Sequence, residues 1–430
     1  MGEAITIQPT RNLTGSIKVP GDKSISHRSV MFAGLSSTPV RIKNFLFAQD
    51  CLSTVSCMRS LGVKVEIMEN KELLVTGRGL HGLTEPENVL DAGNSGTTLR
   101  LLMGILAAQP FFSTFTGDHS LCNRPMGRVI MPLSKMGAKI SARQQSRLLP
   151  LAIMPAGSLN AIDYPMPMAS AQVKSAILLA GLFAQGITKV TEPYISRDHT
   201  ERMLETFGVK LERTGNSVSI EKVSELSAPK VIDVPGDISS AAFWLVAASI
   251  IPGSHLVLTN VGVNPTRTGI IDVLLQMGAD ITLSNERWSG TEPVADITVK
   301  YAKLCGISIQ AEIIPRLVDE IPVLTVAAMF AEGKTTISGA GELRFKETDR
   351  LKAIAAEFTK MGGKIIENQD GLDIEQSTLH MARCYSYHDH RIAMALAVAG
   401  AAGRGVEIEE PHCIDISYPE FYTVLSELNG

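Results

Sequence analysis

One signature recurs along this chain and limits what it can fold into: a helix-spaced apolar stretch, a glycine, then the start of a strand. It reads SCMRSLGVKVEI at Gly62, PLSKMGAKISA at Gly137, MLETFGVKLER at Gly208, VLLQMGADITL at Gly278 and AEFTKMGGKIIE at Gly362. A glycine just past a helix end takes the left-handed conformation without a Cβ clash, so each copy predicts a helix stop and a strand within three residues. Successive spacings are 75, 71, 70 and 84 residues, and a sixth copy falls near the end, where YTVLSELNG stops at Gly430. Between these copies lie short polar openings that lead into small-residue apolar runs: GDKSISHRSVMFAGL, GNSGTTLRLLMGILAA, SAQVKSAILLAGLFA, GDISSAAFWLVAAS, DEIPVLTVAAMFA and DHRIAMALAVAG. These runs are apolar nearly all round, which predicts buried helices. Strand-like stretches such as KELLVTG, SVSIEKV and ADITVK separate the units.

Six repeats at this spacing predict an α/β chain. At 430 residues it is too long for one ordinary core. Periodicity alone would also suit a solenoid. The tetrapeptide VPGD, however, occurs at Val19–Asp22 and again at Val234–Asp237, each time before a buried run. That return favours two lobes of three repeats: residues 1–20 plus 235–430, and an inserted lobe of residues 21–234. The crossings fall near Pro20-Gly21 and Pro235-Gly236, with the VPGD segments as paired hinge strands.

Composition narrows the function classes. A net charge of −4 with no run of like charges argues against nucleic acid or an acidic membrane as partner, so any anion site must be local. The six cysteines (Cys51, Cys57, Cys122, Cys305, Cys384, Cys413) are scattered without a CxxC pair, which fits a reducing cytosol. The longest apolar runs fall short of the roughly 18–20 residues of a membrane span. No signal peptide is expected in MGEAITIQPT; the myristoylation-like MGEAIT and the sequon at Asn12 are short enough to arise by chance.

The unusual residues gather at the openings of the buried runs. Lys23, Ser24 and Arg28 start one; Asn94, Ser95, Gly96 and Thr97 another; Ser170 and Gln172 a third; Arg391 follows His390 at the sixth. A helix N-terminus offers free N–H groups and about half a positive charge, so basic residues there make sense when an anion is bound. Arg124 precedes Pro125, which predicts an extended or turn conformation. GELRFKETDRL is read as placing Lys346, Glu347 and Arg350 in one helical turn. Three other motifs fail on inspection. His388-Asp389-His390 lacks the spacing of a metal site, AEGKTT has Ala328 where a phosphate-binding loop needs glycine, and Cys122 reads as a partly buried structural thiol.

GDKSISHR, GNSGTTLR, NRPMG, SAQVKSA, RFKETDR and YHDHRIAM, in this order and spacing, resemble the 5-enolpyruvylshikimate-3-phosphate synthase family over essentially the whole chain, and its class II bacterial branch most. The resemblance implies a two-lobed inside-out α/β barrel of six βαβαββ repeats, with buried parallel helices pointing their N-termini at an interdomain cleft. It implies transfer of the enolpyruvyl group of phosphoenolpyruvate to the 5-hydroxyl of shikimate 3-phosphate, with no cofactor and no metal. By the same resemblance, Lys23, Gly96, Arg124, Gln172, Arg350 and Arg391 contact phosphoenolpyruvate. Lys23, Ser24, Arg28, Ser170, Ala171, Gln172, Arg197, Asp319 and Lys346 hold shikimate 3-phosphate. Asp319 accepts the hydroxyl proton, Glu347 moves the proton at C3, and Lys23 stands between the substrates. A cytoplasmic monomer that admits glyphosate is expected.

The chain departs from the family's enteric type in two places: Ser170-Ala171-Gln172 replaces two serines before glutamine, and Ile416 stands where a late lysine contacts phosphoenolpyruvate. The sister enzyme acting on UDP-N-acetylglucosamine shares the fold. In most members it has a loop cysteine where this chain has His119, and asparagine where this chain has Ser24; it also lacks KETDR. A non-catalytic binding protein for phosphorylated metabolites would not need Asp319 and Glu347 in an anion site, since carboxylates there weaken binding.

Overall fold

The computed structural model describes residues 3–428. At each of the five helix–glycine–strand junctions the glycine has a positive φ, from 79° at Gly208 to 102° at Gly137, and a strand begins two or three residues later. The sixth junction, at Gly430, lies outside the described residues.

Among the described residues the strands form six sheets, five of them with one recurring order. Asp163–Pro165 runs parallel to Ile187–Thr191, which is antiparallel to Ser217–Glu221, which closes a hairpin with Leu211–Thr214. Four other four-stranded sheets repeat this order, and two of them recruit a strand from far along the chain. Thr14–Ile17 runs parallel beside His255–Gly262, and Val231–Asp233 parallel beside Val40–Lys43. In the sixth sheet Ala4–Ile7 pairs antiparallel with Val406–Glu409, which is parallel to Arg383–Tyr385. A parallel pair needs a crossover, and in the four sheets whose parallel strands follow one another in the chain a buried helix supplies it.

We number those six helices α1 (Lys23–Gly34), α2 (Gly96–Leu106), α3 (Ala171–Gly181), α4 (Ile238–Ile250), α5 (Ile321–Phe330) and α6 (His390–Ala402). Every residue of α4 is buried, as its uniformly apolar sequence requires. Small residues permit close packing: a Cβ on Gly104 in α2 would stand 2.3 Å from the carbonyl oxygen of Ala176 in α3. Five openings are capped by their own side chains, with Asp22, Ser95, Ser170, Asp237 and Asp389 each accepting a first-turn N–H. The sixth is different. Glu320 precedes α5 and makes no such bond.

The chain divides into two compact units, residues 1–20, 235–288 and 293–430 in the first and residues 21–234 and 289–292 in the second. Each has its own apolar core, built around α4–α6 in the first and α1–α3 in the second. The VPGD segments are not regular strands; one backbone bond, from Asp237 N–H to the Pro20 carbonyl at 2.9 Å, joins them. Among the described residues no helix is long and apolar enough to cross a membrane.

Candidate active site

In the second unit the openings of α1, α2 and α3 carry a cluster of cations. The α1 cap, Asp22, accepts the Ile25 N–H at 2.8 Å, and the next residue, Lys23, places its Nζ 3.1 Å from Asp50 Oδ2. One turn on, Arg28 is buried and donates to the Ser24 carbonyl (2.9 Å), Thr200 Oγ1 (2.7 Å) and Ser175 Oγ (2.9 Å). Burial, with Arg197 adding to it and Glu201, Asp22 and Glu292 opposing, brings the Arg28 guanidinium down to about 10. A desolvated cation of this kind gains from an anionic ligand.

At α2, Gly96 follows the cap Ser95, whose Oγ accepts the Thr98 N–H at 3.1 Å. Arg124 sits in a bend before Pro125, outside any helix, as its position predicts. Its Nη2 reaches Asn94 Oδ1 at 2.8 Å and Ser120 Oγ at 3.1 Å. At α3, Ser170 is the cap; Gln172 donates to Thr97 Oγ1 at 3.0 Å and accepts from Arg100 Nη1 at 2.5 Å. Ala171 and Arg197 are half-buried.

The first unit holds a cluster of acids and cations. Arg350, 1% exposed, lies among three carboxylates: Asp389 Oδ2 at 2.7 Å from Nε, Glu347 Oε2 at 2.6 Å from Nη2, and Asp319 Oδ1 at 3.3 Å from Nη1. Burial alone would depress this guanidinium, but Asp389, Glu347 and Asp319 outweigh it and hold it above its ordinary value. Asp319 also lies 3.7 Å from Lys346 Nζ and 3.9 Å from Arg391 Nε, and its carbonyl accepts from Arg391 Nη1 at 3.1 Å. Ile416 is buried in a short 3-10 helix, Pro411–Ile416.

One expectation is corrected. Lys346, Glu347 and Arg350 do not share a helical turn: Gly341–Phe345 is a 3-10 helix, Lys346–Asp349 is irregular, and the α-helix begins at Arg350. Asp349 is the reason, since its side chain accepts the Lys352 N–H at 3.1 Å and caps the helix there. Sequence reasoning also missed partners. Arg100 lies one turn beyond Gly96 in GNSGTTLR, a spacing that could have flagged it; Asp50 and Thr200 lie outside every quoted motif and gave no signal. Among the described residues no group of three or more His, Cys, Asp or Glu is arranged to hold a metal ion.

The geometry can be set beside known proteins. A family model for EPSP synthase (3-phosphoshikimate 1-carboxyvinyltransferase) matches residues 7–425. The chain belongs to the EPSP synthase family. It is 52% identical over 426 residues to a 3-phosphoshikimate 1-carboxyvinyltransferase of Desulforamulus reducens, covering 99% of each chain. Identity to the corresponding enzyme of Pelotomaculum thermopropionicum is 55% over 422 residues, 97% of each. Its fold matches EPSP synthase from Acinetobacter baumannii with a TM-score of 0.88 at 43% identity, covering 99% of this chain and 98% of that one. The enolpyruvyl transferase NikO from Streptomyces tendae matches with a TM-score of 0.81 at 18% identity, covering 100% of this chain and 98% of that one, which speaks to fold alone.

Proposed function

We propose that the chain transfers the enolpyruvyl group of phosphoenolpyruvate to the 5-hydroxyl of shikimate 3-phosphate and releases phosphate. A proton adds to C3 of phosphoenolpyruvate and the hydroxyl oxygen bonds to C2, giving a tetrahedral intermediate. Loss of the C3 proton and departure of phosphate from C2 restore the double bond. The observation that carries this reading is the cluster around Arg350, where half-buried carboxylates suited to proton transfer share a site with cations suited to anionic substrate groups.

In this reading Asp319 takes the hydroxyl proton and Glu347 moves the proton at C3. Arg350 and Arg391 hold phosphoenolpyruvate with Lys23, Gly96, Arg124 and Gln172. Lys346 and Asp319 hold shikimate 3-phosphate with Lys23, Ser24, Arg28, Ser170, Ala171, Gln172 and Arg197. The fixed N–H groups at the openings of α1, α2 and α3 add to the attraction for phosphate and carboxylate. Glyphosate, an anion of similar charge, enters at Gly96 and Arg124. We read the chain as a monomer of the cytoplasm, which fits six free cysteines.

The test is phosphate release from phosphoenolpyruvate plus shikimate 3-phosphate with EDTA present. Release that needs both substrates and survives the chelator is expected. Release only with UDP-N-acetylglucosamine as acceptor would move the chain to the sister activity. Silence with both acceptors, despite measurable binding, would leave a binding protein.

A further inference from the structure

The second VPGD opens a helix whose N-terminus no substrate role has absorbed. That opening is occupied from within. Ser239, in the first turn of α4, donates its hydroxyl to Glu320 Oε1. The same hydroxyl accepts from Arg267 Nη2 at 2.6 Å, and Arg267 also reaches the cap Asp237 Oδ1 at 3.2 Å. Glu320 is fully buried, Arg267 is 2% exposed and Ser239 is 3% exposed. Instead of capping α5, the helix it precedes, Glu320 sends its carboxylate to the positive end of α4. Its Oε1 lies 3.9 Å from Arg391 Nη1, while its Oε2 has no hydrogen-bond partner.

Burying a carboxylate costs several kcal/mol, which only nearby cations and hydrogen bonds offset. The next residue in the chain gives the reason. Asp319 faces three cations, Lys346, Arg350 and Arg391. Each favours its ionised form and weakens it as a base. Glu347 and Asp389 lie on Arg350 and draw off part of that charge. Arg391 has Glu320 at the same distance as Asp319, 3.9 Å.

We propose that Glu320 is a positioning residue for the reaction: anchored on the opening of α4, its carboxylate offsets the charge of Arg391 and keeps Asp319 able to accept a proton. This rests on the reading of Asp319 as the base. The groups that set the proton affinity of Asp319 then include Lys346 and Glu347 from the irregular segment, Arg350 from its helix, Arg391 and Asp389 at the opening of α6, and Glu320 beside it.

The experiment is the pH profile of kcat and the KM for each substrate in E320Q, S239A and D319N. Gln keeps an acceptor for Ser239 and removes only the charge, so it also mimics a protonated Glu320. With the charge gone Asp319 holds its proton less tightly. The acidic limb of E320Q should move to lower pH by about half a unit, and its plateau kcat should fall by up to about threefold. KM for phosphoenolpyruvate should not rise, because Arg391 has lost a competing anion. S239A, which frees the anchor but keeps the charge, should shift the limb the same way by less. A limb in E320Q that superimposes on wild type overturns the proposal. Should E320Q fail to fold, an unmoved limb in S239A overturns it equally. D319N separates the two ideas: if it retains activity with the wild-type limb, the base assignment fails and this inference with it. If D319N is inactive while E320Q and S239A are unmoved, only the role of Glu320 fails.

Discussion

The clusters in the two units carry similar cations and differ in what their acids do. Around α1–α3, Lys23, Arg28, Arg124 and Arg197 gather, and the nearby carboxylates Glu192 and Glu201 are almost fully buried against Lys174, 2.7 and 2.6 Å away. Around α5 and α6, the carboxylates of Asp319 and Glu347 keep 13% and 16% of their side-chain surface and lie directly on Arg350. An acid locked on a buried lysine cannot exchange protons with a substrate, whereas a partly exposed one beside an arginine can. On the proposed roles, the second unit would bind anions and the first would move protons.

The most direct attack on that contrast is Asp319→Asn. It keeps size and hydrogen bonding and removes the proposed base, so kcat should fall by about 10²–10⁴. KM for both substrates should stay within a few-fold. Steady-state kinetics decides it, and a variant that raised KM while sparing kcat would erase the division of labour.

The opposite substitution sits in the second unit. Burial alone would depress the Lys174 ammonium, but Glu201 and Glu192 outweigh it and hold it above its ordinary value. Lys174→Met leaves two buried carboxylates without their counter-charge, which costs about 3–5 kcal/mol. Denaturant unfolding should show the loss. Any protein that stays folded should keep kcat, because the proposed substrate contacts do not include Lys174, Glu192 or Glu201. A kcat loss as deep as that of Asp319→Asn would mean the second unit's acids take part in chemistry after all.

How much of this was legible in the sequence follows the physics of each feature. The helix–glycine–strand junctions were readable because a left-handed glycine and a buried apolar helix are local requirements. The helix start at KETDR was local too, yet misread: four charged residues fit a helix face, and only the capping bond of Asp349 decides where the helix starts. Lys23 and Arg391 stood out as cations at helix openings, and Arg124 by its place before Pro125. Asp50 did not stand out, because it meets Lys23 only through tertiary packing. Glu320 was hidden for the same reason. In DEIPVLTV it reads as a helix-start acid, and its bond to Ser239 spans 81 residues.

A smaller perturbation, Gly96→Ala, probes how tightly the anion site is drawn. A Cβ there would stand 2.7 Å from Arg100 Nη1 and 3.6 Å from Arg124 Nη1. The nearer atom ends a flexible side chain, so Arg100 gives way and loosens its bond to Gln172 rather than the fold distorting. Glyphosate's inhibition constant should rise about tenfold or more, with a smaller rise in KM for phosphoenolpyruvate and kcat largely kept. Equal inhibition constants for variant and wild type would place glyphosate elsewhere.

The gentlest test concerns His27, buried behind the same cations. Burial first, then Lys23 and Arg28, hold its imidazole well below the ordinary 6.5. Its Nδ1 bonds Thr54 Oγ1 at 2.6 Å. Between the depressed folded value and 6.5 the unfolded chain binds a proton that the folded chain does not, so stability rises with pH there. Acidification below about 6.5 should remove stability, by at most about 1.4 kcal/mol per pH unit from this group. His27→Gln, compared with wild type by denaturant unfolding from pH 5 to 7, should flatten that slope by up to this amount. Shikimate 3-phosphate bound at Lys23 and Arg28 would offset the two charges that help depress His27, so the slope in wild type should also soften with ligand. Equal slopes in variant and wild type would show that the cations gathered on α1 exert less field than their geometry implies, and the contrast with the acid-lined first unit would narrow accordingly.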